Sequence, residues 1–303
     1  MKIGFVSAIL PELDLEDVVD FASSNEFQCI EVMCWPSGKA ERRYAGVTHI
    51  DMEKSDENYV NNVNDTFEKH HLEISALGYY PNPLDPDLEK RQIYCEHIKK
   101  MISRASDFGV DTITTFIGRD PNLSVSENLK RVGEIWPDII RFAEEKNVKV
   151  AIENCPMLFT EDEWPGGKNL MTTPKIWRQI FDMIPSDHFG LNYDPSHFIW
   201  QQMDYIKPIY EFSDKIFHVH IKDLKILKDK LDEVGIMATP LEYCLPKLPG
   251  LGDVNWGKFM SALTDIGYHG HVVIEVEDKA FENSLEDRYT ALNQAHRFIS
   301  QYL

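Results

Sequence analysis

The sequence predicts an α/β protein, a closed (β/α)₈ barrel formed as a single domain over residues 1–303. Short runs rich in β-branched residues alternate with longer segments of helical periodicity, and this alternation occurs eight times. Strict alternation indicates a parallel sheet, because each parallel strand needs a crossover to reach the next. Eight such units in 303 residues match the size of a closed barrel. An open, doubly wound parallel sheet is the competing architecture.

Eight apolar segments are predicted as strands because they are short, rich in Val and Ile, and bounded by turn-forming residues. In chain order they are residues 2–7, 28–33, 73–77, 112–116, 148–152, 188–193, 215–221 and 271–276. After the third strand, Pro81, Pro83 and Pro86 exclude regular structure, since proline lacks a backbone donor.

Each predicted strand is followed by a predicted helix. The first helix begins after the N-cap candidate Asp14 and places Leu15, Val18 and Ala22 on one face. The others are residues 59–71, 88–108, 126–146, 174–183, 205–212, 256–266 and 285–302. Three long irregular stretches remain, residues 34–55, 154–173 and 224–255. Each follows the carboxyl end of a strand, where barrel enzymes place their sites.

The composition excludes several classes of function. Lys and Arg number 31 and Asp and Glu number 50, so the net charge is 31 − 50 = −19. That surplus opposes a general binder of nucleic-acid backbones but leaves a small phosphorylated ligand open. No apolar run approaches the roughly 20 residues of a membrane-spanning helix. The N-terminus lacks the pattern of a signal peptide, and the five cysteines form no CxxC pair. We therefore expect a cytoplasmic protein without membrane or nucleic-acid partners.

Ligand-type side chains stand at the ends of four consecutive predicted strands. They are Glu153, Asp194, His220 and Glu275. If they converge at one rim, three carboxylates and one imidazole suit Mn²⁺, Mg²⁺ or Co²⁺, and less well Zn²⁺. Mn²⁺ is the first choice, with one ion per chain. The alternative is that each residue caps a helix or forms an ion pair.

Two further histidines accompany this set. His218 points to the same strand face as His220 but one layer deeper, so we expect it to be a hydrogen-bonded core histidine. His197 follows Asp194 by three residues and is a candidate for orienting substrate or binding a second metal, or a loop histidine bonded to backbone. Lys222 is a candidate contact to a substrate oxygen, unless Asp223 pairs with it.

These residues lie in segments that carry a family resemblance. The chain resembles the xylose-isomerase-like TIM-barrel superfamily, which includes sugar-phosphate isomerases and epimerases and the ketose 3-epimerases. The matching segments are 151–154 (Ala-Ile-Glu-Asn), 193–197 (Tyr-Asp-Pro-Ser-His), 218–223 (His-Val-His-Ile-Lys-Asp), 249–256 (Pro-Gly-Leu-Gly-Asp-Val-Asn-Trp) and 267–271 with Glu275. Segment 78–83 in the N-terminal half is a weaker match.

The resemblance implies a metal held by Glu153, Asp194, His220 and Glu275, with Glu153 and Glu275 doubling as acid and base. It also implies that His197 contacts substrate. The ketose epimerases have a substrate-binding Arg shortly after the metal histidine, whereas residues 222–225 here read Lys-Asp-Leu-Lys.

The chemistry that this set supports is removal of a proton next to a carbonyl. A metal on the carbonyl oxygen stabilises the enediolate that forms, and a carboxylate supplies the base. Return of the proton gives an isomerase or epimerase acting on a sugar or sugar phosphate. Loss of a β-hydroxyl gives a lyase, such as a dehydratase acting on a keto-inositol. A non-catalytic sugar-binding module is a third reading, and a metal-dependent nuclease is opposed by the acidic charge.

Other residues are candidates for a substrate pocket. Asn154 follows Glu153, and the aromatic residues Trp35, Tyr79, Tyr80 and Trp164 could stack on a sugar or pack under loops. The basic run 39–43 is a candidate phosphate contact or a solvated loop, and Cys155 is expected to line the pocket wall. The apolar stretch 236–251 is a candidate interface of a homo-oligomer. No GxGxxG or GxxxxGK[ST] motif is present, so no nicotinamide cofactor or phosphate loop is expected.

Overall fold

The predicted barrel is present in the computed structural model, which describes residues 1–37, 45–158 and 167–303. The strands of the described residues are β1 (Lys2–Val6), β2 (Cys29–Met33), β3 (Glu73–Gly78), β4 (Thr112–Thr115), β5 (Lys149–Glu153), β6 (Phe189–Tyr193), β7 (Ile216–Ile221), β8 (Asp223–Ile226), β9 (Cys244–Lys247) and β10 (His271–Ile274). Eight of them form a closed parallel barrel in the order β1-β10-β7-β6-β5-β4-β3-β2. The open-sheet alternative is therefore wrong.

Helices cover the barrel and connect its strands. They are α1 (Leu15–Ser24), α2 (Glu57–Lys69), α3 (Leu88–Arg104), α4 (Val125–Lys146), α5 (Pro174–Met183), α6 (Ser196–Ile199), α7 (Lys207–Glu211), α8 (Lys228–Val234), α9 (Trp256–Asp265) and α10 (Leu285–Ile299). Most bounds agree with the sequence prediction to within two or three residues. The predicted helix 88–108 ends earlier, and its last turn, Ala105–Phe108, is a 3₁₀ helix.

Local caps explain where the helices begin. The Asp14 carboxylate accepts a hydrogen bond from the backbone N–H of Asp17 at 3.0 Å, which confirms the predicted N-cap of α1. Ser124 and Glu127 form a reciprocal capping box at the start of α4. These bonds satisfy donors that the first turn of a helix leaves unpaired.

The barrel and the helix layer share a closely packed core. Trp136 of α4 is fully buried, and its indole N–H donates to the carbonyl of Ile117 at 2.9 Å. Gly4 permits the close approach of β1 and β2, because a Cβ at this position would lie 2.3 Å from the carbonyl oxygen of Cys29. Any larger residue there would push the two strands apart.

Residues 224–255 were predicted to be irregular, and this prediction is wrong. The chain leaves β7, continues into β8, forms α8, and returns antiparallel along β9. Leu224 and Tyr243 are buried in a small apolar cluster, against which Ile199 of α6 packs. Leu231 and Val234 of α8 are partly buried against the same cluster, but a helix of seven residues carries too short an apolar pattern to be marked in the sequence. Ile236 and Met237 are exposed, and the stretch stays a predicted interface.

Among the described residues, no helix combines the length and the hydrophobicity that crossing a bilayer requires.

Candidate functional site

The four predicted ligand-type residues meet at the carboxyl rim of the barrel. Glu153 ends β5, Asp194 follows β6, His220 lies near the end of β7, and Glu275 follows β10. These four strands are neighbours in the barrel. One ligand atom from each residue can be chosen so that all four lie within 4.8 Å of one another. The Nδ1 atom of His220 lies 3.7 Å from Oε1 of Glu153 and 3.4 Å from Oε2 of Glu275.

Three of these residues are buried and carry polar atoms without hydrogen bonds. Oε1 of Glu153, Oδ2 of Asp194 and Nδ1 of His220 have no hydrogen-bond partner among the described residues. A buried polar atom without a hydrogen bond is costly. Oδ2 of Asp194 has ion-pair contacts with Lys222 and His197, and a cation bound between the three atoms would coordinate all of them at once. The geometry and the donor chemistry therefore fit one divalent metal ion.

The electrostatics of the cluster favour ionised carboxylates beside cationic groups. Burial opposes ionisation of Glu153, but the imidazoles of His197 and His220 lower the pKa of its carboxyl to about 2. Burial also opposes a charge on His220, yet Glu31, Glu153 and Glu275 raise the pKa of its imidazole well above the usual range. The rim thus brings ionised carboxylates next to imidazoles, and a metal ion that bound there would have to displace the imidazole proton that faces it.

His197 joins the cluster, as the sequence suggested. It lies on α6, directly after the turn in which the Ser196 backbone N–H donates to Oδ1 of Asp194 at 2.8 Å. Its Nε2 atom is 3.1 Å from Oδ2 of Asp194 and 3.5 Å from Oε1 of Glu153. Cys155 is half-buried, and its Sγ lies within 4.8 Å of ligand atoms of Glu153 and His197, which places it at this pocket.

Lys222 reaches into the same cluster instead of pairing with Asp223. Its Nζ atom lies 2.7 Å from Oε2 of Glu275 and 3.1 Å from Oδ2 of Asp194. Although burial disfavours the ammonium, Asp194 and Glu275 raise its pKa well above the usual range. Lys222 therefore brings a fixed positive charge next to the candidate metal ligands.

Asp223 instead anchors the loop that precedes α9. Its carboxylate is buried and accepts hydrogen bonds from four N–H groups, those of Leu224, Gly250, Val254 and the Trp256 indole. Gly252 passes so close that a Cβ there would lie 2.3 Å from Oδ1 of Asp223. The segment 249–256, which carries part of the family resemblance, is thus held against the start of β8.

The sequence reasoning missed Glu277. Its Oε2 atom lies 3.6 Å from Nζ of Lys222, so it adds a further carboxyl to the site. Burial and the charge of Glu275 raise the pKa of this carboxyl, against the opposing effect of Lys222. The available signal was its position two residues after Glu275, since alternate residues of an extended chain face the same side.

A second missed residue, Glu31, lies beneath the candidate metal ligands on β2. Its Oε2 atom is 2.6 Å from Nε2 of His220. Its Oε1 atom accepts hydrogen bonds from the hydroxyls of Thr114, at 2.6 Å, and Tyr80. Burial opposes ionisation, but His220 outweighs it and keeps the pKa of the Glu31 carboxyl below its usual value. An acidic residue in an otherwise apolar strand, Cys-Ile-Glu-Val-Met, was the available signal.

His218 is the hydrogen-bonded core histidine that the sequence predicted. Its Nδ1 atom is 3.0 Å from Oδ1 of Asn192, and its Nε2 atom is 3.1 Å from Oγ of Ser75. Burial lowers the pKa of its imidazole to about 3, so the ring is neutral. Both ring nitrogens are occupied within the protein.

Two predicted substrate contacts are buried and contact other residues of the protein. Asn154 is fully buried, and its amide brackets the backbone of Asp194, accepting from its N–H at 2.7 Å and donating to its carbonyl at 2.9 Å. Tyr79 is buried edge-to-face between Trp35 and His97. These placements do not support a substrate contact for Asn154 or Tyr79. The half-buried Trp35 stays a prediction, whereas the basic run 39–43 and Trp164 lie outside the described residues.

Comparison with known proteins finds similar sequences. An uncharacterized protein of Bacillus subtilis, YfiH, is 26% identical over 92% of this chain and 93% of its own length. Inosose dehydratase of Clostridium perfringens is 27% identical over 54% of this chain and 50% of its own length. The chain therefore matches about half of that relative.

Solved structures share the fold. An IolI protein with a bound zinc atom superposes with a TM-score of 0.72 and 18% identity, covering 100% of this chain and 99% of IolI. D-psicose 3-epimerase from Clostridium cellulolyticum, solved with D-tagatose, superposes with a TM-score of 0.70 and 15% identity, covering 100% of this chain and 99% of the epimerase. The xylose isomerase-like TIM-barrel family pattern matches residues 19–302. The chain belongs to the xylose isomerase-like TIM-barrel family.

Proposed function

We propose that this protein is a divalent-metal-dependent isomerase or epimerase that acts on the carbon next to the carbonyl of a small sugar or keto-polyol. The observation that carries the proposal is the convergence of Glu153, Asp194, His220 and Glu275 within 4.8 Å, at the rim where barrel enzymes place their sites. The solved ketose 3-epimerase with the same fold is consistent with this chemistry.

The four residues would hold one metal ion. Three carboxylates and one imidazole favour Mn²⁺, with Mg²⁺, Co²⁺ and Zn²⁺ as alternatives, and the zinc atom of IolI supports a divalent ion at a site on this fold. A bound metal would polarise the substrate carbonyl and stabilise the negative charge that develops when the adjacent proton leaves.

Glu153 and Glu275 are the proposed acid and base. Glu153 extends from β5 and Glu275 from the end of β10, and β6 and β7 lie between these two strands. The two carboxylates would therefore contact a bound substrate from different sides. Removal of a proton by one carboxylate gives an enediolate, and return from the other side inverts the carbon. Positioned acid–base groups contribute about 10²–10⁴-fold to rate. His197 and Lys222 are proposed to hold and orient substrate hydroxyls.

A dehydratase on the same site is the second candidate. It is favoured by the sequence similarity to inosose dehydratases, which covers about half of this chain. It is also favoured by Lys222 and Glu277, which lie beside Glu275 and offer proton donors for a departing hydroxyl. The enediolate would then expel the β-hydroxyl as water, so substrate and product would differ by one water molecule.

The test is solvent-deuterium exchange followed by NMR. Metal-loaded protein is incubated in D₂O with a panel of ketohexoses, ketopentoses and keto-inositols. The proposal expects deuterium beside the carbonyl, abolished in Glu153→Gln and Glu275→Gln and retained in Glu73→Gln, which changes an exposed carboxylate of β3. Product of unchanged mass apart from deuterium identifies an isomerase or epimerase, and loss of water identifies the dehydratase.

The same experiment can refute the proposal. Exchange that persists at the wild-type rate in both Glu153→Gln and Glu275→Gln would remove these residues from the chemistry. If no panel member exchanges while the sugars still bind in a metal-dependent way, the chain is a sugar-binding module and the proposal of catalysis is wrong.

A further inference from the structure

A buried carboxylate lies directly behind the candidate metal site. Glu31 is fully buried in the middle of β2, and its four strand neighbours are apolar. A buried charge is tolerated only where it is paired and hydrogen-bonded. The groups that pair with Glu31 therefore indicate what it does.

Both oxygens of Glu31 are occupied by groups of the barrel interior. Oε1 accepts from the hydroxyls of Tyr80 and Thr114, and Oε2 lies 2.6 Å from Nε2 of His220. Asn192 also approaches Nε2 of His220, with its amide nitrogen at 3.0 Å, and this amide donates to the Tyr80 hydroxyl at 3.1 Å. The carboxylate thus has two fixed hydroxyl donors on one side and the imidazole on the other.

The contacts determine which nitrogen of His220 carries a proton toward Glu31. An ionised carboxylate only accepts hydrogen bonds, so the 2.6 Å contact requires a proton on Nε2. The Asn192 amide nitrogen, itself a donor, then makes no hydrogen bond to Nε2 and donates to the Tyr80 hydroxyl instead. Nδ1 lies on the opposite side of the ring, facing Glu153 and Glu275, and has no hydrogen-bond partner among the described residues. Glu31 therefore contacts Nε2 of His220, and a metal ion would bind Nδ1 of the same ring.

We infer that Glu31 is a positioning residue that holds Nε2–H of His220 and thereby presents Nδ1 of the same ring to the metal. This inference rests on the proposed function, because it requires His220 to be a metal ligand. A carboxylate behind a ligating histidine fixes the orientation of the ring and increases the basicity of the free nitrogen. Loss of such a partner typically weakens metal affinity by about 10- to 100-fold.

A different role for Glu31, as a metal ligand itself, is less compatible with the contacts. Ligand atoms of Glu31, His218 and His220 also lie within 4.8 Å of one another. However, both nitrogens of His218 are bonded, to Asn192 and to Ser75, and both oxygens of Glu31 are occupied. This lower cluster is a closed hydrogen-bond network, whereas the upper cluster has unpartnered atoms.

The first readout is metal affinity, measured by competition of Zn²⁺ and Mn²⁺ with a chelating dye. Wild type is compared with Glu31→Gln and with the matched control Thr114→Val, which removes a hydrogen bond from the same carboxylate but leaves its contact to His220. We expect Glu31→Gln to bind about 10- to 100-fold more weakly and Thr114→Val to bind like wild type. Equal weakening in both variants would indicate a merely structural role and overturn the inference.

The second readout is the imidazole N–H signal of His220 in the Zn²⁺-loaded protein, identified by its loss in His220→Gln. We expect a strongly downfield, slowly exchanging Nε2–H in wild type, because this proton is buried and donated to a carboxylate. It should move upfield in Glu31→Gln. If Glu31→Gln does not fold, the wild-type spectrum alone decides, and absence of a protected Nε2–H overturns the inference.

The outcomes separate this inference from the proposed function. If wild type takes up no metal, the proposed function fails and the inference fails with it. If wild type binds metal and Glu31→Gln binds it equally well, only the inference is overturned.

Discussion

Replacing Asp223 with asparagine should loosen the loop that joins β9 to α9. Oδ1 of Asp223 accepts from the backbone N–H groups of Leu224 and Val254, at 2.8 and 3.0 Å. Oδ2 accepts from the Gly250 N–H at 3.0 Å and from the Trp256 indole at 2.9 Å. Asparagine keeps one oxygen, so two of the four donors would face an NH₂ group that cannot accept.

The expected cost follows from these two lost bonds. A hydrogen bond to a charged acceptor contributes about 1.5–3 kcal/mol, and a buried donor left unpaired costs a similar amount. Two losses therefore give about 3–6 kcal/mol before relaxation. Because residues 249–253 can partly turn toward water, we expect about 3 kcal/mol less free energy of unfolding, a large effect for one substitution.

The assay is urea unfolding followed by circular dichroism. The control is Asp214→Asn, which removes the same charge from an exposed position after α7 and should leave the midpoint unchanged. Near-ultraviolet circular dichroism should also change, since the Trp256 indole loses its acceptor. If Asp223→Asn unfolds at the same urea concentration as wild type, the four hydrogen bonds do not anchor this loop and the reasoning is refuted.

Three further predictions test the same account. Gly252→Ala should lower the thermal midpoint, because its Cβ would collide with Oδ1 of Asp223, whereas Gly257→Ala, with only ordinary contacts in α9, should leave it unchanged or raise it slightly; equal effects would contradict the assigned close approach. Lys222→Met should destabilise chelator-treated protein, because Asp194 and Glu275 lose their ammonium partner. The same substitution should tighten metal binding measured by calorimetry, because a competing positive charge is gone. Unchanged or weaker metal binding would count against this prediction. Addition of Mn²⁺ at 100 times its dissociation constant should stabilise the wild type by about 2.7 kcal/mol in urea unfolding, and an unchanged midpoint would exclude specific binding to the folded state.

The fold was predictable because parallel barrel strands are buried on both faces and read as short apolar runs. The run from Val148 to Ile152 has this character, and the structure makes it β5 with small shifts at its ends. The ligand-type residues were visible because each stands where such a run stops. Glu153 and Asp194 are polar residues at the ends of apolar strands. Because the carboxyl ends of parallel barrel strands lie at one rim, such residues come close together in the folded protein.

Glu31 was missed because the sequence of a single strand does not show which distant residues the folded barrel brings next to it. Glu31 lies 189 positions from His220 in the chain, and only closure of the barrel brings the two side chains together. Tyr79 and Tyr80 are adjacent, and the sequence does not tell which of them faces the site. The structure directs Tyr80 to Glu31 and Tyr79 into the outer core, because neighbouring residues of an extended chain point in opposite directions.

Metal stoichiometry tests the central claim most directly. Protein stripped with chelator is dialysed against Mn²⁺ and analysed by mass spectrometry of the bound metal, for wild type and for the double variant Asp194→Ala/His220→Ala. The matched control is Glu73→Ala/His271→Ala, which removes a contacting carboxylate–imidazole pair from the opposite end of the barrel. We expect about one ion per chain in the wild type and in the Glu73→Ala/His271→Ala control. We expect no bound ion in the Asp194→Ala/His220→Ala variant. Full uptake by the Asp194/His220 variant, or none by wild type, would contradict the central claim.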